Sequence, residues 1–308
     1  MKKQIVKKYW PLFAIIAFLS VPFWNVPFAI TFFTVVMHFS LLVLSFSFLL
    51  NVTGFNSLMQ ASLGGVAGYA LAYLQVTAKY PFPFAEGIAI FLTLALSALV
   101  GLALVRTRRV YFLLLTMVLS LAIWALSLQW VSVTKGTTGL IGVRRPDFLS
   151  APRNFYYFVL VLFVIFYLFF ERISRSRFAL LLKGIKQNEK RMKSFGYPIS
   201  FLLWCAWFVS SVPVVFEGVL LVYQLGIMNP HNITLANNVY VLLAGLLSGS
   251  GSLYNTIFGA LTIKGLEYIV SMWTERYNLI SAVFMCIILF AREYKIMGKV
   301  YKRRREVL

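Results

Sequence analysis

Charged residues are absent from a long stretch near the N-terminus: residues 9–78 contain no Asp, Glu, Lys or Arg. Over the whole chain 12% of residues are charged and 60% are hydrophobic, whereas soluble proteins average about 25% charged. A transmembrane helix needs roughly 20 apolar residues, so this stretch alone has room for three spans. The apolar runs are continuous rather than alternating, which excludes a transmembrane β-barrel. These features predict an all-α polytopic membrane protein.

Residue types that carry catalysis or bind metals are also scarce. The two histidines, His38 and His231, are too few for a zinc site without nearby carboxylates. The two cysteines, Cys205 and Cys286, fall in predicted spans, and we interpret them as buried free thiols. No G-x-x-x-x-G-K-[ST] motif occurs, so any ATP site must lie on another subunit. We therefore predict no catalytic, cofactor-binding or metal site in this chain.

Apolar runs separated by short turns predict about ten membrane spans, some of them broken or re-entrant where glycine is frequent. The predicted spans are 10–24, 27–50, 55–78, 87–105, 110–131, 154–171, 198–223, 236–250, 253–273 and 277–292. The start resembles a signal peptide, but no small-x-small cleavage site follows it, so we interpret it as a retained first helix. The predicted organisation is a basic tail at 1–9, a transmembrane domain at 10–292 and a second basic tail at 293–308.

Basic residues are distributed unequally between the two sides of this topology. With the N-terminus inside, the cytoplasmic segments carry 22 Lys and Arg, and the outer segments carry 6. The positive-inside rule therefore predicts a plasma-membrane protein with cytoplasmic termini and a cytoplasmic segment at 171–197. The outer loop at 132–153 departs from the rule, because four of the outer basic residues lie in it. Membrane topology explains the net charge of +20, so nucleic-acid binding is not inferred.

The segment Glu171–Gly196 is strongly basic, with eight Lys or Arg and two Glu. Apolar residues recur along it at helical spacing, at Phe178, Leu181, Leu182 and Ile185. An amphipathic helix of this kind either lies on an anionic membrane surface or docks into a groove on a soluble partner. Charge and periodicity allow both interpretations.

Ionisable residues inside the predicted spans are few. Lys264 and Glu267 are three residues apart, which favours a local ion pair on one helix face. Glu217 has no oppositely charged neighbour in the sequence, so it is either a lone functional carboxylate or an interfacial residue. His38 is interpreted as a hydrogen-bonded interior residue. A carrier driven by an ion gradient usually needs more intramembrane ionisable groups than these.

Small residues concentrate in three stretches, Gly54–Tyr69, Thr134–Gly142 and Gly245–Ala260. One interpretation is close packing of membrane helices, which small residues permit. The other is that glycine breaks the helices and exposes backbone dipoles along a polar path for a zwitterionic solute. Side chains that would supply hydrogen bonds to such a solute are those of Asn56, Ser57 and Gln60.

Six motifs in one order resemble the membrane subunits of ABC importers for branched-chain amino acids, of the LivM type. The resemblance covers about residues 40–292. It includes GxxSL with the later Ala61, Gly65 and Tyr69, the TxGxTGLxG pattern that ends at Gly142, and RVYFLLLT before it. It also includes SRF with IKQNE and GY in the basic segment, the turn at Asn229, and the run GSGSLYNTIFGA.

The resemblance implies an ABC importer permease fold with a cytoplasmic coupling segment at 171–197. It implies ATPase-coupling roles for Lys186, Asn188, Glu189 and Gly196. It also implies a translocation path formed by Asn56, Ser57, Gln60, Gly65, Tyr69, Thr138, Gly139, Gly249 and Gly251. The expected partners are a second permease subunit, two ABC ATPase subunits, an extracytoplasmic solute-binding protein and membrane lipid.

This sequence also departs from the family pattern. Met59, Ala67 and Lys135 stand where the family has glycine, and Asn255-Thr256 replaces a Gly-Pro pair. The fold and the coupling role are expected to persist. The solute is then a branched-chain or other hydrophobic amino acid, or alternatively urea or a short amide. A functional alternative of a different class is a carrier driven by an ion gradient.

Overall fold

A computed structural model describes residues 18–24, 26–107, 109–249, 253, 255–273, 280 and 283. The two basic tails, nearly all of the last predicted span and most of the first lie outside these residues. So do Gly251 of the predicted path and Cys286. Cys205 is a free thiol, but it is half-buried rather than buried.

Helices make up most of the described chain. They are α1 (Pro27–Thr53), α2 (Gln60–Ala72), α3 (Phe84–Leu104), α4 (Arg109–Gln129), α5 (Pro152–Ser174), α6 (Arg177–Gln187), α7 (Glu189–Ser194), α8 (Ile199–Leu225), α9 (Leu235–Ser248) and α10 (Asn255–Ser271). Short turns of helix lie at Val21–Trp24, Val131–Thr134, Gly136–Thr138, Asp147–Leu149 and Pro230–Ile233, and α2 continues as a π-helix over Tyr73–Thr77.

Among the described residues, the helices α1, α3, α4, α5 and α8 are long and apolar enough to cross a membrane. This confirms a multi-pass helical membrane protein. In the predicted span 236–250, helix α9 has 14 residues and rises only about 21 Å, against a hydrocarbon core of about 30 Å, so it is too short for a full span and fits one of the broken pieces expected where glycine is frequent. Predicted span 55–78 begins as helix only at Gln60, after a non-helical stretch from Gly54. The total of ten spans stays a prediction.

Helix α1 lies at the centre of the bundle. In the apolar stretch of α1, 83% of the residues are buried. In the corresponding stretches of the other long helices, the buried share is 22% to 44%. It packs against α5, α6, α8, α9 and α10, so it has no polar face to present to solvent. The helix ends at Gly54, whose backbone N–H donates to the carbonyl of Leu50 at 3.1 Å.

Small residues allow α2 and α8 to cross closely. A Cβ atom added to Gly218 would overlap the backbone carbonyl of Gly64. Close approach of this kind is a main source of van der Waals attraction between helices in lipid. The crossing holds α2 in a buried position.

Two short strands join the segments that lie beyond α4 and α8. Strand β1 (Leu140–Ile141) pairs antiparallel with β2 (Ile227–Met228), with Leu140 opposite Met228. This pair of two-residue strands is a small local addition to an architecture that is all-α as predicted. Strand β2 follows α8 directly, while the basic segment precedes α8, and the helix of 27 residues separates them by about 40 Å. The strand pair and the basic segment are thus at opposite ends of the bundle.

We expect Gly218→Ala to destabilise the bundle, because the added methyl group forces α2 and α8 apart. Overpacking typically costs about 1–3 kcal/mol, which should lower the thermal unfolding midpoint of the detergent-solubilised protein. Gly87→Ala is the matched control, because a Cβ atom at Gly87 meets nothing within 4 Å. Equal midpoints for the two variants would contradict a close crossing at Gly218.

Candidate functional site

A buried histidine–glutamate pair joins α1 to α8. His38 Nδ1 lies 3.2 Å from Glu217 Oε1, and both side chains are 4% exposed. This confirms that His38 is a hydrogen-bonded interior residue. The interpretation of Glu217 as a lone or interfacial carboxylate is wrong, since its partner lies 179 positions earlier in the chain. A buried charge in a membrane span normally requires such a partner.

The surroundings of this pair also involve α2. A Cβ atom at Gly64 would lie 2.8 Å from Glu217 Oε2, so the absence of a side chain there leaves room for the carboxylate. His38 Nε2 is buried and has no hydrogen-bond partner within the described part of the chain. The pair therefore lies where three helices meet.

A second polar cluster holds the N-terminus of α2. Asn238, in the first turn of α9, accepts a hydrogen bond from the backbone N–H of Ala61 at 2.8 Å. Its amide nitrogen donates to the hydroxyl groups of Ser62 at 2.8 Å and Ser120 at 3.0 Å. The first amides of a helix have no partners within the helix, and Asn238 supplies one from another part of the chain.

The position of this cluster explains the short helix α9. Ser120 is near the middle of α4, and Ser62 Oγ also donates to the carbonyl of Ile233 at 3.3 Å. Residues 226–234 therefore turn back from the end of α8 into the bundle, and α9 starts at about half its depth. That this segment is re-entrant in the membrane stays a prediction.

A third cluster lies toward the strand-pair end of the bundle. Gln75 Nε2 donates to Glu86 Oε1 at 2.8 Å, and the hydroxyl of Tyr223 donates to the same oxygen. Arg145 Nε donates to the carbonyl of Tyr223 at 2.6 Å, and its guanidinium lies 4.2 Å from the ring centroid of Phe155. Burial lowers the pKa of Arg145 from its usual value. These contacts fix the loop that follows α4 onto α8.

Five predicted path residues lie in α2 or in the stretch just before it. Ser57, Gln60, Gly65 and Tyr69 are buried, and Asn56 is half-buried. The side-chain oxygens Asn56 Oδ1 and Gln60 Oε1 are buried and have no hydrogen-bond partner among the described residues. The sequence predicts that these two amides hydrogen-bond the solute, and that role stays a prediction.

The remaining path residues are distributed more widely. Gly139 packs against the backbone carbonyl of Met228, and a Cβ atom at Gly65 would lie 3.3 Å from Met228 Cε. Met228 thus brings the first two small-residue stretches together, by the close packing that was one of the two interpretations. Thr138 is exposed, and Gly249 ends α9 in the third stretch. A role in translocation stays a prediction for all of them.

The basic segment forms two helices with side-chain caps. The hydroxyl of Ser176 caps α6 by accepting from the N–H of Ala179, and Asn188 caps α7 by accepting from the N–H of Arg191. The side chains of Leu182 and Ile185 are buried, and α6 packs on α1, α5 and α8. Leu182 and Ile185 of its apolar face are therefore covered by the chain's own helices rather than by lipid or a partner groove. Leu180 of α6 remains 63% exposed, and docking of the segment on a partner stays a prediction.

Lys186 connects this segment to the central helix. Its Nζ donates to the carbonyl of Leu50 at 2.9 Å and to that of Asn51 at 3.2 Å. The last carbonyls of a helix lack partners within the helix and carry partial negative charge, so an ammonium group is well placed there. Lys186, predicted to act in ATPase coupling, thus contacts its own chain.

The other predicted coupling residues surround α7. Glu189 is half-buried in its first turn, where a carboxylate is favoured by the helix dipole. Asn188 is exposed, and its side chain makes the capping hydrogen bond to the N–H of Arg191. Gly196 has φ +80°, in the left-handed region that side chains disfavour, and no neighbour lies within 4 Å of an added Cβ atom.

Ion pairing also accounts for the other charges predicted inside the membrane. Lys264 Nζ lies 2.8 Å from Glu267 Oε2, which confirms the local pair. The same ammonium lies 4.7 Å from the ring centroid of Phe39 on α1. This pair attaches the described part of α10 to the central helix.

We expect His38→Leu to destabilise the protein strongly, because it leaves the buried carboxylate of Glu217 unpaired. Breaking a buried pair typically costs about 3–5 kcal/mol, whereas replacing both partners by apolar residues is often close to neutral. The double variant His38→Leu/Glu217→Met should therefore recover much of the lost thermal stability in detergent. A double variant at least as unstable as the sum of the two single variants would contradict the pairing.

Comparison with known proteins gives a family match over most of the chain. A family model described as branched-chain amino acid transport system / permease component matches residues 28–292. The high-affinity branched-chain amino acid transport system permease protein LivM of Escherichia coli is 22% identical over 271 residues, which cover 78% of this chain and 64% of that protein. The corresponding LivM protein of Salmonella typhimurium is 21% identical with the same coverage.

A third relative matches a shorter part of the chain. The probable branched-chain amino acid transport permease protein LivM of Methanocaldococcus jannaschii is 27% identical over 148 residues, covering 46% of this chain and 42% of that protein. This chain spans about 64% of the length of the two bacterial relatives. No solved structure gives a significant match. Because the family model covers more than half of its residues, the chain belongs to the permease components of branched-chain amino acid transport systems.

Proposed function

We propose that this chain is the permease subunit of an ATP-driven ABC importer that moves branched-chain or other hydrophobic amino acids across the plasma membrane. Membership of the permease family supports the transport role, and the bacterial relatives are named for branched-chain amino acid transport. The working complex would contain a second permease subunit, two ABC ATPase subunits and an extracytoplasmic solute-binding protein. Both termini would be cytoplasmic.

The observation that carries this proposal is the attachment of the basic segment to the central helix. Helix α6 is held to α1 through its buried face and through the two hydrogen bonds of Lys186. The exposed residues of this segment include Arg177, Lys190 and Leu180, and we propose that an ATPase subunit contacts them. A displacement of the segment would therefore be transmitted directly to α1.

The mechanism requires two arrangements of the spans and no covalent chemistry in this chain. An ATPase dimer that closes on ATP would move the segment, and rigid-body motion of α1 and its neighbours would switch the side from which the solute site is open. ATP binding shifts the balance only through its different affinities for the two arrangements. Packed helix interfaces suit such switching, because they are bistable rather than continuously deformable.

The solute path is proposed to pass the start of α2. The unpartnered oxygens of Asn56 and Gln60 are hydrogen-bond acceptors that suit the ammonium group of an amino acid. Segment 226–234 lies beside α2 and is built from a short strand and a single 3-10 turn rather than from α-helix. Membrane proteins tolerate such backbone where it is buried in protein or lines a water-filled cavity.

A carrier driven by an ion gradient has less support. Glu217 is paired with His38, and Glu267 is paired with Lys264. Neither carboxylate is therefore a free site for a proton or a sodium ion. The ABC importer requires ATP as its energy source, whereas the carrier requires an ion gradient.

Uptake of labelled leucine, valine and urea by cells expressing the chain with its transport partners separates the alternatives. The proposal expects leucine or valine uptake that persists with an uncoupler while ATP is held constant. Collapse of uptake under those conditions would favour the ion-gradient carrier. Uptake of urea without uptake of leucine or valine would support an ABC permease whose solute is urea rather than an amino acid. Co-purification in mild detergent should recover an ATPase subunit.

Glu189→Lys and Gly196→Val should leave the protein inserted but uncouple ATP hydrolysis from uptake. The first reverses a charge in the first turn of α7, and the second forces a β-branched residue into a left-handed conformation. Glu171→Lys makes the same charge change in a surface ion pair with Arg175 and should have little effect. Normal coupling in both test variants would refute the assignment of this segment.

Lys186→Met should lower uptake per ATP hydrolysed, because it removes the two hydrogen bonds to the end of α1. Methionine retains an aliphatic chain against Gly54, whose added Cβ would lie 3.2 Å from Lys186 Cε. The control is Lys183→Met, since among the described residues Lys183 Nζ donates only to the carbonyl of Ser174, at 3.4 Å, in the preceding helix. The two rates are measured on the same membranes, and an unchanged ratio for Lys186→Met would exclude the mechanical link.

A further inference from the structure

A large cavity lies between the basic segment and the membrane bundle. Its volume is about 980 Å³, at the upper end of the roughly 300–1,000 Å³ typical of small-molecule sites. Its walls come from the end of α1, the α3–α4 turn, helices α6 and α7, and the first turn of α8. Because four long apolar helices end or begin here, the cavity lies at the level of the lipid headgroups.

The polar part of the wall is predominantly cationic. Arg106, Lys186 and Lys193 line the cavity, together with one carboxylate, that of Glu189. Lys186 is committed to the end of α1. Arg106 and Lys193 are exposed, and their side chains form no hydrogen bond or ion pair with another described residue. These two cations are therefore available to an anionic group.

The apolar part of the wall consists of residues at the membrane-facing ends of α4 and α8. Val110, Tyr111 and Phe201 line the cavity and are 65%, 72% and 60% exposed. Aromatic residues are enriched at this level of membrane proteins, where one side is apolar and the other is wet. The cavity thus combines a cationic side with an apolar side, as an amphipathic ligand requires.

We propose that this cavity binds an anionic phospholipid of the adjacent leaflet, with its phosphate between Arg106 and Lys193 and its acyl chains beside Tyr111 and Phe201. Basic pockets between membrane helices bind anionic headgroups by the same electrostatics. The bound lipid connects the α3–α4 turn to α7 in the arrangement that the structure describes. It therefore stabilises this arrangement relative to the other one, and it gives part of the local excess of Lys and Arg a binding role.

The test is native mass spectrometry of the purified full-length chain after delipidation and titration with phosphatidylglycerol or phosphatidylethanolamine. Arg106→Gln/Lys193→Gln removes the two cations from the cavity. Arg177→Gln/Lys190→Gln is the matched control, because it removes the same charge from exposed positions of α6 and α7 that do not line the cavity. Thermal unfolding of each delipidated variant checks that it is folded. If the double variant Arg106→Gln/Lys193→Gln does not fold, the single variant Lys193→Gln is titrated in its place.

The unchanged protein should retain phosphatidylglycerol in preference to phosphatidylethanolamine. The cavity variant should bind phosphatidylglycerol roughly tenfold more weakly or worse, because each basic residue near an anionic lipid contributes on the order of a fewfold in affinity. The control should bind like the unchanged protein. Lys193→Gln alone should show an intermediate loss.

Three results would overturn the proposal. Equal weakening in the cavity variant and the control would mean that binding depends on general surface charge. Displacement of phosphatidylglycerol by millimolar inorganic phosphate would mean that the site takes a free anion. Loss of bound phosphatidylglycerol when an ATPase subunit is added would mean that the cavity is occupied by protein.

Discussion

The ammonium group of Lys186 on the carbonyl end of α1 is the contact on which the proposed coupling depends. Helix α1 is the most buried of the long helices, so a force applied at its end reaches most of the bundle. The buried side chains of Leu182 and Ile185 hold α6 against the same end. Charge, helix dipole and apolar packing therefore act at one place, and the basic segment is part of the bundle rather than an appendage.

The interior of the bundle is organised by a few polar contacts between distant parts of the chain. Lipid provides little hydrophobic driving force between helices, so close packing and hydrogen bonds must specify which helices meet. The pair His38–Glu217 and the cluster around Asn238 do this for α1, α2, α8 and α9. The Asn238 cluster also allows α2 to begin, and segment 226–234 to turn back, within the bundle. The region that would bind a solute is therefore built from short helix ends, whereas the long helices surround it.

Sequence reasoning succeeded where the information was local. Continuous apolar runs predicted the long helices, the spacing of Lys264 and Glu267 predicted their ion pair, and helical periodicity predicted the apolar face of α6. It failed where the partner lay far away in the chain, because nothing near Glu217 indicates His38. The apolar face of α6 was assigned to lipid or a partner groove, since periodicity shows that a face exists but not what covers it. Helix α9 is short because Asn238, in its first turn, hydrogen-bonds Ser62 and Ser120 inside the bundle. No local sequence pattern reveals these contacts.

The central claim is that the basic segment and the end of α1 move as one unit. It is tested most directly by spin-label distances in the assembled transporter, after replacement of the two native cysteines, between labels at positions 190 and 51 and between labels at 190 and 107. With and without ATP, the account predicts a constant distance from 190 to 51 and a changed distance from 190 to 107. A change of several ångströms between 190 and 51, with 190 to 107 constant, would contradict it.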